Sequence, residues 1–433
     1  MLIMKFYSTN NRSLQLDIKE AVIKGLSSDN GLFMPEYIPE LPESFINNLG
    51  NLSLQEIAME VLKPYFSNAI TDSKLKSIIY EAFNFDIPLK KVDGNISVLE
   101  LFHGPTSAFK DVGARFLARV MATFVKDIEQ DVYVLAATSG DTGGAVANGF
   151  IDVPGIKVLI LYPKGKVSDR QERQFTTLGR NITALEVDGT FDDCQRLVKT
   201  AFLDGELNEK LFLTSANSIN IARLLPQVVY YFYAYAQVNE KSNGVVFSVP
   251  SGNFGNLIAG LIAQKMGLPV KHFIAATNIN DVVPEYLNSG KYNPKASVQT
   301  IANAMDVGEP SNFERILNLF NNDQNKVKES ISGYVVDDAR IRETIKEVNE
   351  KSDYILDPHG ACGYTALANK VSNGEQGVFL ATAHPAKFPE VVEEQIEKEV
   401  DMPVAMEKFM TKSKIKIEID STFSDFRKIL LEE

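Results

Sequence analysis

Two stretches of this chain have the same grammar, and together they restrict the folds open to it. VYVLAATSGDTGGAVANGF (132–150) and GVVFSVPSGNFGNLIAGLIAQ (244–264) each begin with an unbroken apolar run, break at a Ser-Gly step and continue as a helix of small residues. A strand with no polar alternation is buried on both faces, the condition of a parallel sheet covered by helices. KVLILYP (157–163), KHFIAAT (271–277) and GVFLATA (377–383) are further runs of this kind. Helical patterns lie between most of them, notably over 111–126 and 217–239. Strands alternating with helices predict an α/β chain with parallel sheets joined by right-handed crossovers. ISVLEL (96–101) reads as a further strand. Residues 1–95 read as a unit of their own, with helical patterns at 14–26, 54–65 and 73–83 and a proline-punctuated extended stretch from Leu32. The charged C-terminal tail reads as a solvated helical face.

The Ser-Gly turns carry chemistry. Glycine lets a ligand approach the backbone, and the unpaired N–H groups of a helix's first turn face the space above the strand. With the helix dipole they form an anion site at the strand's carboxyl end. Neither turn is a dinucleotide or nucleoside-triphosphate loop. Taken singly, each is also an ordinary strand–helix turn.

HGPTSAFKD (103–111) adds a lysine just before a predicted helix. Read alone, Lys110 beside Asp111 is half of a solvated pair. Buried behind Phe109, it is a reactive amine, because desolvation lowers its pKa. An amine and two anion-binding turns at separate strand ends match what pyridoxal phosphate needs: a Schiff-base lysine, a phosphate seat and a partner for the ring nitrogen.

Composition excludes other classes. The 433 residues are 45% hydrophobic, enough for a large core, and the net charge of −12 argues against a nucleic-acid partner. The two cysteines, Cys194 and Cys362, are far apart, so neither a disulfide framework nor a metal site is expected. The N-terminal apolar run is too short for a signal peptide, and no window approaches the ~18 apolar residues of a membrane span. A cytoplasmic setting is expected.

HGPTSAFKD, ATSGDTGGAV, SANSINIARL, VPSGNFGN, NAMDVG and TAHPAKF, in that order, resemble the threonine synthase family in its longer bacterial and fungal type. QLDIKEAVIKGLSSDNGLFMP (15–35) resembles that family's opening segment. The resemblance implies a fold-type II pyridoxal-phosphate enzyme, with two open, twisted, mostly parallel sheets, helices on both faces and an N-terminal segment. It divides the chain into 1–95, a small domain at 96–240 and a large domain at 241–433. It implies formation of L-threonine and phosphate from O-phospho-L-homoserine and water, by a monomer or homodimer.

The resemblance also assigns roles. Lys110 carries the Schiff base. Gly252, Asn253, Phe254, Gly255 and Asn256 cradle the cofactor phosphate, and Thr382 faces the pyridine nitrogen. Ser139, Gly140, Asp141 and Thr142 hold the substrate carboxylate. Many relatives have Asn at the place of Asp141, and a carboxylate beside a bound anion is unfavourable unless it is protonated or turned away. For the leaving phosphate, Asn220 and Arg223 of N-x-x-R are expected on one helical face, with Thr106 and Lys164 as weaker candidates. His359 reads as a possible lining residue and the other histidines as structural. Asp306 has no role that the sequence explains. Two rivals remain: a pyridoxal-phosphate phospholyase releasing a 2-oxo acid and ammonia, and a catalytically silent ligand-binding relative.

Overall fold

The computed structural model describes residues 4–432 apart from 127, 129 and 242. The unbroken apolar runs are strands with both faces buried. Along Val132–Ala137, Val134 and Ala136 enter a central core, while Tyr133, Leu135 and Ala137 enter a second core on the other face. Along Val245–Pro250, Phe247 and Val249 face that same central core and Val246 a third. The central core therefore lies between two sheets, and each sheet has its own outer layer of helices. Phe191–Leu203 and Phe423–Glu432 cover one, Asp338–Ser352 and Pro358–Lys370 the other.

The five-stranded sheet is wholly parallel, in the order Ile417–Asp420, Ile182–Asp188, Ile156–Pro163, Val132–Ala137, Phe212–Ser215. The six-stranded sheet runs Ile331–Val335, Val270–Thr277, Val245–Pro250, Gln376–Ala381, Ile96–Glu100, Leu89–Asp93. It is parallel except for its last pair. A small antiparallel sheet of Phe6–Ser8, Gln15–Leu16 and Phe33–Pro35 stands near the N-terminus.

Sheet membership does not follow the linear division at residues 95 and 240. Ile96–Glu100, expected with the lysine-bearing unit, pairs with Gln376–Ala381 in the six-stranded sheet. The charged tail is not helical throughout: Ile417–Asp420 closes the edge of the five-stranded sheet, pairing its backbone with Leu185–Asp188. The first 95 residues share the central core rather than holding one of their own. The helix Leu54–Phe66, started by a Ser53–Glu56 capping box, places Phe66 edge-on to Phe116, ring centroids 5.3 Å apart. The helix expected over 217–239 breaks at Pro226, which has no N–H to donate. It becomes Ile221–Leu224, a 3-10 turn at Leu225–Gln227 and the helix Val228–Gln237.

Arg315 ties the N-terminal sheet to the body. Fully buried, it donates from Nε to the Phe33 carbonyl at 3.2 Å and from Nη1 to Ser218 O at 3.2 Å and Asn312 Oδ1 at 2.6 Å. Its Nη2 donates to Ile219 O at 2.6 Å. Arg315→Ala leaves these acceptors unpaired and a cavity behind, so we expect a loss of about 3–5 kcal/mol of unfolding free energy. Denaturant unfolding checks this, and an unchanged midpoint would contradict it.

Candidate active site

The site forms where carboxyl ends of strands from both sheets converge. Past Ile96–Glu100 the chain folds back, and 107–109 pairs antiparallel with 382–384. Phe109 N donates to Thr382 O at 2.9 Å, and His384 N donates to Ser107 O at 3.1 Å. This pairing sets Thr382 beside Lys110, the first residue of the helix Lys110–Phe124. The Lys110 ammonium lies 3.7 Å from Asp141 Oδ2 and 4.7 Å from the centre of the Phe109 ring. Burial pushes its pKa below the usual lysine value, Asp141 pulls it back up, and the charges of Lys387 and Arg223 push it down again. The amine is therefore no solvated partner of Asp111, whose carboxylate instead accepts from Thr106 N at 2.9 Å and Thr106 Oγ1 at 2.6 Å.

Both Ser-Gly turns open onto one cavity. After Val132–Ala137, Thr138 Oγ1 accepts from the amides of Gly140 and Gly143 at 2.9 and 2.8 Å and shapes the turn into the helix Asp141–Phe150. Gly140 has φ +139°, a conformation open to glycine. After Val245–Pro250, the chain turns through Phe254, left-handed at φ 60°, into the helix Gly255–Lys265. Gly252 lies so close to the 302–306 segment that a Cβ would sit 2.6 Å from Ala304 O. The Asn253 side chain accepts from Ser311 N at 3.2 Å. Asn256 O and Oδ1 accept from Tyr231 at 2.8 and 2.9 Å, while its Nδ2 is buried with no partner. An unpaired amide in the first turn of an eleven-residue helix has the donors and the dipole that suit an anion.

Lys110, Ser139, Thr142, Arg223, Thr382 and the whole run Gly252–Asn256 line this cavity. Arg223 is 3% exposed, with Nη1 on Ala216 O at 2.5 Å and Nε unpaired. Burial lowers its pKa to about 10, so it stays cationic at neutral pH. Thr106, Gly140, Asp141 and Asn220 sit behind the wall. Asn220 does not share a helical face with Arg223: it is the N-cap of Ile221–Leu224, its Oδ1 accepting from Ala222 N at 3.1 Å and its Nδ2 donating to Val22 O and Ser215 O. A cap lies outside the helix whose face it was expected to share. Thr106 is wholly buried and engaged by Asp111. Lys164 is a surface residue, 2.8 Å from Glu418.

Asp141 is not among the lining residues: its Oδ1 lies 2.5 Å from the Lys387 ammonium, and its Oδ2 is on the side of Lys110. Burial would raise this carboxyl, but Lys387 and Lys110 outweigh it and hold it well below the usual range. Lys387 was not singled out in the sequence, because nothing local in TAHPAKF says which way its side chain points. His359 does line the cavity. Its Nδ1 lies 2.7 Å from Asp357 Oδ2, and its Nε2 accepts from Ala304 N at 3.2 Å, which places the ring proton on Nδ1. Asp357-Pro358 was readable as the cap and first residue of the helix Pro358–Lys370. Asp306 holds its segment in place, accepting from Thr300 Oγ1 at 2.7 Å and Asn278 Nδ2 at 2.8 Å, and burial pushes its pKa up to about 6. His103 pairs with Glu100 and His384 with the Ala386 amide.

A desolvated amine, a helix N-terminus with an unpaired amide, and a neutral hydroxyl at Thr382 fit pyridoxal phosphate in charge and in kind. Residues 81–383 match the family model described as "Pyridoxal-phosphate dependent enzyme". Residues 5–83 and 360–429 match those described as "Threonine synthase N terminus" and "Threonine synthase, C-terminal". The chain is 46% identical to a threonine synthase of Haemophilus influenzae over 99% of its own length and 100% of the relative's. The crystal structure of threonine synthase from Escherichia coli superposes with a TM-score of 0.95 at 43% identity, covering 99% of this chain and 100% of that one. The pyridoxal-phosphate-bound threonine synthase of Brucella melitensis gives 0.92 at 36%, covering 99% of each. A cavity built for this cofactor, in a chain matched from end to end, leads to one conclusion: the chain belongs to the threonine synthase family of pyridoxal-phosphate-dependent enzymes.

Proposed function

We propose that this protein converts O-phospho-L-homoserine and water to L-threonine and phosphate. The observation that carries the reading is the Lys110 amine, desolvated and facing the cavity into which both anion-binding turns open. The chemistry pyridoxal phosphate supplies when bound is an electron sink for carbanions that form next to the substrate nitrogen.

This chain's residues would do the rest. The backbone amides of Gly252–Asn256, with the N-terminus of Gly255–Lys265 behind them, hold the cofactor phosphate. Thr382 offers the ring nitrogen a hydroxyl, which unlike a carboxylate does not force it to be protonated. The Ser139–Thr142 turn takes the substrate carboxylate on its first-turn amides. Lys110 takes the proton from Cα and then from Cβ, and its lowered pKa favours the neutral amine that a base requires. Arg223 stabilises the phosphate as it leaves Cγ, with a guanidinium already stripped of water. Once phosphate has left, a proton is delivered to Cγ, water adds its hydroxyl at Cβ, and a proton returns to Cα, so the two protons that Lys110 removes are given back. Asn220 and Thr106, behind the wall, hold the Arg223 helix and the lysine turn in place.

Incubation with O-phospho-L-homoserine is expected to release threonine and phosphate in equal amounts. A product dominated by 2-oxobutyrate and ammonia would make the protein a phospholyase. No turnover by the cofactor-loaded protein would favour a silent relative.

A further inference from the structure

Lys387 has had no role so far except as a partner. It ends a single 3-10 turn, Pro385–Lys387, beyond the strand Gln376–Ala381, and its side chain is wholly buried. Besides Asp141 Oδ1 at 2.5 Å, its ammonium reaches the Thr106 carbonyl at 3.0 Å. Gln171, on the crossover helix Asp169–Thr176, donates to the same carboxylate oxygen at 3.0 Å. The other oxygen faces Lys110 at 3.7 Å. The carboxylate at the start of the helix Asp141–Phe150 is thus gripped by groups from both halves of the molecule.

Each member of the pair is costly without the other. A buried ammonium persists only when it is paired and hydrogen-bonded. A free carboxylate at the first turn of a helix would repel an anion binding there and compete for the same amides. Lys110 is not an adequate partner for Asp141, because its amine must be neutral when it acts as a base. Lys387 supplies a cation that the reaction leaves alone.

We propose that Lys387 is a positioning residue for the substrate: by pairing with Asp141 it keeps that carboxylate turned behind the Ser139–Thr142 turn, so that the turn's amides stay open to the substrate carboxylate. This rests on the assignment of that turn under the proposed function. Asn at the place of Asp141 would need no such cation, so the two positions form one charge-matched unit.

In the holoenzyme, Lys387→Gln is expected to raise KM for O-phospho-L-homoserine at least about tenfold, with a smaller fall in kcat, as loss of ground-state binding requires. Adding Asp141→Asn removes the stranded charge, and the double variant should recover most of the lost KM. Pyridoxal-phosphate affinity and unfolding temperature are measured in parallel. An unchanged KM in Lys387→Gln overturns the proposal. So does a loss of stability and kcat that Asp141→Asn fails to relieve, the pattern of a merely structural lysine. If Lys387→Gln does not fold, the double variant decides alone: a KM within about threefold of the parent supports the proposal and a rise beyond about tenfold overturns it. A parent enzyme that makes no threonine strikes the proposed function. An active parent with unshifted variants strikes only the role of Lys387.

Discussion

Lys110→Ala is expected to abolish threonine formation, lowering it by at least about 10⁴-fold, since it removes both the covalent anchor and the base. The surroundings of Lys110 explain why no neighbour should replace it. Lys387 is committed to Asp141 and Thr106, and the Arg223 guanidinium stays protonated at neutral pH. Alanine fits the first position of a helix whose start is already set by the turn before it, so the variant should fold. The assay is threonine release from O-phospho-L-homoserine. Turnover within about 100-fold of the parent would refute the role assigned to Lys110. The sign of its pKa shift has a second consequence. A lowered pKa keeps the amine neutral to lower pH, so capture of pyridoxal phosphate by the apoprotein should persist to lower pH than the reaction of the same aldehyde with a free alkyl amine.

Gly252→Ala is the second large effect, and it should fall on cofactor binding. An added Cβ would lie 2.6 Å from Ala304 O and 2.9 Å from Met305 Cα. Both are backbone atoms, held by the Asp306 clamp and by the hydrogen bond from Ala304 N to His359, so the neighbour cannot yield. The 252–256 turn must move instead. We expect pyridoxal-phosphate affinity to fall about 100-fold, equivalent to about 3 kcal/mol, measured by equilibrium titration of the apoprotein. Gly255→Ala is the comparison, because there the nearest atoms are side chains at 3.5 Å and the added methyl makes ordinary contact. Equal affinity of parent and Gly252→Ala would mean that the turn is not the phosphate seat.

Different parts of the site were legible to different degrees. The two Ser-Gly turns each belong to a single strand–turn–helix unit, where burial, turn chemistry and helix capping act over a few neighbouring residues, whereas Lys110 and Thr382 took their roles only from the family resemblance. Asn220 misled because a helix face was assumed where Pro226 and the cap divide the segment into short pieces. Thr106 looked free because its partner Asp111 reads as a helix-start residue rather than as an acceptor folded back over the turn. The strand Ile417–Asp420 escaped notice because an edge strand with one buried residue in four has no apolar run to show.

The amino-acid sequence by itself determined the class of architecture and where the Ser-Gly turns fall, since unbroken apolar strands, Ser-Gly steps and helix starts are read from local order, while it left Lys110 open between a solvated pair and a buried amine. Only the tertiary structure decided that Lys387 neutralises Asp141, that the 302–306 segment closes over Gly252, and that Asn220 stands behind the cavity wall. These depend on which strand ends meet across two sheets, and pairing between distant segments is set by packing of the whole core rather than by any local pattern.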